Sequence, residues 1–268
     1  MEEDILENPE IEIEFSLEIF TLFVVLNSLG YSEENRPEGM TVLRKEAQSV
    51  FNKGLLKEEY PKLLKAVETN HPWHLIFKIL APKSSDGFAD GIKELSGNPA
   101  VEMLWDKSKP DLLKERKRIE PHLRQELADL NRFLKDKTWQ VEKVVLIINP
   151  LDAHWRGYSF KIKNTAFIVV GPGATDKDNE LIRHELLHLV APSFEIPHSL
   201  IDKQSSKDPE YQDEFEFLCQ EYTVRALSLL YRKEILNKDI SLEIDNEKEQ
   251  FSSIEKIMRH IKEKRGHL

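Results

Sequence analysis

In the stretch "NELIRHELLHLVAPS", residues 179–193, His184 and His188 stand four positions apart, and Glu185 directly follows the first. On a helix, side chains four apart lie one turn above each other on one face. Two imidazole nitrogens can then converge on a single Zn2+ ion. Hydrolytic zinc sites take three protein ligands and leave the fourth position for water. Glu185 sits one step round the helix from His184, where it can reach that water without being a ligand and act as general base. Zinc lowers the pKa of such a water and polarises a carbonyl. With 9 histidines in the chain, the five-residue pattern arises by chance in roughly one chain in thirty of this composition. Its surroundings therefore have to carry part of the reading.

Those surroundings predict a helix. Thr175 and Asp178 resemble a capping pair, and the helix runs to about Val190, before Pro192. Ile182, Leu186, Leu189 and Val190 give it an apolar face away from the histidines. The competing reading is an ordinary helix with incidental histidines, but two histidines and an acid on one helix are costly to bury. Strands are expected just before it. "VEKVVLIIN", 141–149, is a β-branched apolar run closed by Pro150 and reads as a buried strand. "GYSFKIKN" alternates Tyr158, Phe160 and Ile162, and "TAFIVVGPG" follows through Lys163-Asn164, so the two segments are expected to pair antiparallel. After a loop over 191–209, helices are expected at about Tyr211–Lys233 and Ser252–Lys264.

The first half reads differently. "IEIEF", 11–15, alternates like a short strand, and Ser16 caps a following apolar helix with Glu18 in its first turn. From Gly39 to Lys137 the pattern is helical, broken at "EEYPK", "NHPWH", "APKSSDGFADG" and "SGNPA". His71 and His74 in "HPWH" mark a helix start, because Pro72 makes that stretch a turn. "KERKRIEPHLRQEL", 114–127, reads as a solvated helix face, since acids interleave the basic residues and no aromatic platform accompanies them.

"HELLH" between strands and a helical region resembles the zincin metallopeptidases, over roughly residues 140–235. The resemblance implies an α+β fold: a small, mostly antiparallel sheet, the motif helix and a Glu-bearing helix, with a largely helical N-terminal portion. The corresponding division is 1–137 and 138–268. It also implies that "AFIVV", Ala166–Val170, is the sheet-edge strand that binds an extended substrate by main-chain hydrogen bonds. Metzincins need a Gly and a third His soon after the motif. Ala191-Pro192 stands here instead and excludes that class. The gluzincin class takes a glutamate from a later helix, and Glu221 is the foremost candidate. It sits mid-helix among Leu218, Tyr222, Val224 and Leu227, where an unpaired carboxylate is unfavourable. Glu214 and His198 are the alternative third ligands, while Glu216 is expected to be solvated. Arg225, one turn beyond Glu221, would orient it or simply pair with it. Related enzymes often use a Tyr or His to stabilise an oxyanion, and His154, Tyr158, His198, Tyr222 and Tyr231 are the residues of that type here.

The totals set the limits. The chain has 268 residues with a net charge of −10, which argues against nucleic acid or an anionic membrane as partner. A single cysteine, Cys219, leaves no internal disulfide and no cysteine zinc cluster, and fits a reducing compartment. Cys219 itself reads as a buried small hydrophobe. The acidic start lacks the basic region of a signal peptide, and "IFTLFVVLNSLG", 19–30, is too short to span a bilayer, so a cytoplasmic protein is expected. The combined expectation is a zinc metallopeptidase. It has Zn2+ on His184, His188 and Glu221, Glu185 as general base, and a peptide or protein substrate. The rival is a zincin-like binding scaffold with a structural metal and no catalysis.

Overall fold

The computed structural model describes residues 9–34, 39–82, 87–134, 141–201, 215–249 and 251–266. It divides into two compact units, each assembled from separated stretches of chain. One comprises Ile11–His122 with Lys143–Leu181. The other comprises the described parts of Met1–Glu10, Leu123–Glu142 and Ile182–Leu268. The expected division at 137/138 follows secondary structure, whereas compactness partitions the chain otherwise.

The first unit is built on α1 (Leu17–Ser28). Ser16 accepts a hydrogen bond from the Ile19 amide at 3.2 Å, and Glu18 lies in the first turn, as the sequence predicts. Ile19, Leu22, Phe23, Val24 and Val25 are fully buried, so α1 is apolar on every side and serves as a central core helix. Around it stand α2 (Val42–Ala47), α3 (Lys53–Glu59), α4 (Pro61–Thr69), α5 (Pro72–Leu80) and α6 (Phe88–Ser96). The helix breaks fall at the predicted punctuation. Pro61 opens α4, and His71 accepts from the Trp73 amide ahead of Pro72. Asn98 accepts from the Ala100 amide at 2.9 Å to start α7 (Pro99–Leu134), a helix that continues through Pro110 and Pro121. The basic residues Lys114, Arg116, Lys117 and Arg118 on α7 are exposed, as expected of a solvated face.

The sheet of this unit has four strands, β1 (Glu10–Glu14), β2 (Lys143–Ile148), β3 (Gly157–Ile162) and β4 (Thr165–Val170), in the order β1-β2-β4-β3. β3 and β4 form the predicted antiparallel hairpin, with Phe160 opposite Phe167 and Lys163 taking a positive φ of 56° in the turn. β2 and β4, however, run parallel, with Val145 beside Phe167. The sheet is therefore mixed rather than mostly antiparallel. A second correction follows: β4 is an interior strand, hydrogen-bonded on both sides, and cannot be the edge that accepts an extended substrate. The residues explain why. β4 buries side chains on both faces, as β2 does, whereas β3 alternates buried Tyr158 and Phe160 with Ser159 and exposed Lys161. A strand apolar on both faces belongs inside a sheet, and one with a polar face suits its edge. Val145, Ile147, Tyr158, Phe160 and Val169 join the core around α1.

The second unit contains the end of α7, most of α8 (Asp176–Val190), α9 (Phe215–Glu234), α10 (Ser241–Lys248) and α11 (Ile254–Gly266). α8 ends before Pro192, as predicted, and passes into a 3-10 turn over Ala191–Phe194. The side chain of Asp178 in the expected capping pair, the start of the Glu-bearing helix at Tyr211 and residues 202–209 of the expected loop lie outside the described residues. α9 and α11 pack against each other, Leu218, Leu227, Ile254, Ile257 and Ile261 are buried, and Tyr222 lies edge-on to Phe251 at 4.8 Å. Arg265 of α11 donates to the Phe133 carbonyl of α7 and pairs with Glu234 of α9 at 3.0 Å. Among the described residues, no helix is long and apolar enough to cross a membrane.

Candidate metal centre

α8 carries His184 and His188 on one face, and α9 brings Glu221 to them from 33 positions further along the chain. The two Nε2 atoms lie 3.2 Å apart. Oε1 of Glu221 is 3.1 Å from Nε2 of His188 and 3.7 Å from Nε2 of His184. A zinc ion about 2.0–2.1 Å from three tetrahedral donors sets those donors roughly 3.3 Å from one another. The three separations bracket that value, and two imidazoles with one carboxylate are a donor set suited to zinc. The site residues thus fit the ion. Among the described residues, these three form the one cluster of histidine, cysteine or acidic groups with metal-ligand spacing.

Electrostatics tie the three together. Glu221 is 4% exposed, and burial alone would raise its pKa. His184 and His188 outweigh that effect and hold the carboxyl well below the ordinary range. Burial likewise disfavours a charged ring at His188, but Glu221 and then Glu185 raise its pKa above the usual imidazole value. Glu185 is 5% exposed and close enough to be felt at His188, yet it makes no hydrogen bond or ion pair with another described residue.

α8 and α9 are also joined through a polar group on α7 that the sequence did not single out. Glu126 of α7 accepts from the Arg183 guanidinium through Oε1 at 3.2 Å and from the Tyr231 hydroxyl through Oε2 at 3.1 Å. Arg183 is 1% exposed, precedes His184 directly, and stacks over the Tyr231 ring at 4.8 Å. A signal did exist. Arg183 shares a helical row with Leu187 and Val190 at i, i+4, i+7, so a cation stands in an apolar stripe and needs a buried partner.

The remaining candidates divide clearly. Glu214 lies outside the described residues. His198 sits in a 3-10 turn with its ring edge-on to Phe215 at 4.9 Å, and is not one of the converging donors. Tyr222 is sealed against Phe251, and Tyr231 is committed to Glu126 about 15 Å along α9 from Glu221. His154 and Tyr158 belong to the other compact unit, where His154 faces Asp176 at 3.4 Å. Glu216 is exposed, as expected, while Cys219 is half-buried rather than fully enclosed. Arg225 does reach Glu221, with Nε 3.5 Å from Oε2, but its NH1 is also claimed by both carboxylate oxygens of Glu247.

Comparison with models of known protein families, with curated proteins and with solved structures yields no match to this chain.

Proposed function

We infer that the protein is a zinc-dependent hydrolase acting on peptide bonds, with His184, His188 and Glu221 as metal ligands and Glu185 as general base. The observation that carries this reading is the meeting of three donor atoms at 3.1–3.7 Å from residues four and 33 positions apart. Zinc held there would polarise a substrate carbonyl and acidify a water molecule. The Glu185 carboxylate takes a proton from water as its oxygen bonds to the carbonyl carbon, and returns it to the amine nitrogen as the C–N bond breaks. A metal of purely structural role needs no such base, and a glutamate directly after His184 on the helix that carries both histidines favours the catalytic reading over the scaffold one.

The test is cleavage of a mixed peptide library by the zinc-loaded protein, with Glu185→Gln as control. Cleavage by the parent chain, reduced about 10²–10⁴-fold in the variant while bound zinc is unchanged, is the expected result. Equal cleavage by both proteins would remove Glu185 from the chemistry. No cleavage by either would remove peptide hydrolysis.

A further inference from the structure

The far side of Glu221 is built in a way that ligation alone does not require. Oε1 faces the two histidines, whereas Oε2 is buried, has no hydrogen-bond partner among the described residues, and has the Arg225 Nε 3.5 Å away. That distance is attractive but too long for a good charge-assisted hydrogen bond. Arg225 is held back from closing it. Its NH1 donates to both oxygens of Glu247 at 3.1 and 3.2 Å, and its guanidinium lies over the Phe251 ring at 4.6 Å. Glu247 comes from α10, a short helix with no buried residue of its own. One cation is thus shared between a ligand carboxylate and a carboxylate with no other duty in view.

We propose that Arg225 and Glu247 are positioning residues for the metal centre: Arg225 fixes Glu221 so that it presents one oxygen rather than both to the ion, and Glu247 restrains Arg225 from neutralising that ligand. This rests on the metal reading of the site. Arg225 next to Oε2 makes it unfavourable for the carboxylate to pivot and bring both oxygens onto the ion. Without Glu247, more of the positive charge of Arg225 falls on Glu221 and competes with the ion for its electrons. Groups that orient first ligands commonly affect metal affinity about 10–100-fold.

The experiment is zinc affinity by competition with a chromophoric chelator, together with the visible spectrum of the Co2+-substituted protein and thermal melting of the metal-free protein. It covers the parent chain, Glu247→Gln, Arg225→Met and the double variant. Glu247→Gln is expected to weaken zinc about tenfold and shift the cobalt bands while metal-free melting is retained. In the Arg225→Met background the same change is expected to have no further effect, because its only route to the ligand is gone. Should Glu247→Gln impair folding, Glu247→Asp replaces it and is expected to bind within threefold of the parent. Unchanged affinity in Glu247→Gln, an equal loss in both backgrounds, or a tenfold loss in Glu247→Asp would each overturn the positioning role. All three leave the metal site standing, provided the parent binds zinc. Failure of the parent to bind zinc overturns the site itself.

Discussion

Asp152 and Glu221 are both buried carboxylates, and burial pushes both toward the protonated form; their neighbours decide the outcome. At Glu221 two histidines overcome it. At Asp152 the opposing groups are weaker. Tyr31 donates to Oδ1 at 2.7 Å and the Ala153 amide does the same at 2.7 Å, while Oδ2 has no hydrogen-bond partner among the described residues. Its pKa is pushed up to about 6, against 3.8 for the ordinary group. Between those values the folded chain holds a proton that the unfolded chain has lost, so this residue makes stability fall as pH rises from about 4 to 6. The contribution is fully present below that window and is worth at most about 3 kcal/mol. Asp152→Asn keeps an acceptor for Tyr31 and Ala153 and removes the titration. Urea midpoints across pH 4–7 are expected to show a shallower decline in the variant than in the parent; parallel curves would contradict it. The convergence of the histidine pair was legible because its geometry is local, set by one helical turn. Glu221 was legible through its apolar sequence neighbours. Glu247 was not, since nothing near it in the chain marks a partner 22 residues away.

At the scale of elements, α7, α8 and α9 meet on Glu126. Glu126→Ala removes the buried carboxylate that Arg183 and Tyr231 share, which costs about 3–5 kcal/mol. Denaturant unfolding measures this directly, and a midpoint within error of the parent would show that the group does not tie the helices. Helix boundaries and the β3–β4 hairpin followed from proline positions, caps and alternation, all of them short-range. Strand order did not, because whether β4 has one neighbour or two depends on where β2 lies. The two-sided apolar character of "TAFIVV" was the available clue. α10 escaped notice because it has no apolar stripe and buries none of its residues.

For the whole molecule, the composition change near Thr138 marks where helices give way to strands. Each compact unit nevertheless draws on chain from both sides of it, and the core around α1 is completed by β-strand residues such as Val145 and Phe160. Sequence periodicity reports the elements and is silent on which distant elements share a core. The convergence of α8 and α9 is of that non-local kind, and the functional reading depends on it. The most direct measurement is zinc per chain in freshly purified protein, by elemental analysis and native mass spectrometry, for the parent and Glu221→Gln. One zinc per parent chain, with most of it lost in a variant that melts like the metal-free parent, is the predicted result. A parent chain without zinc, or full occupancy in Glu221→Gln, would contradict it.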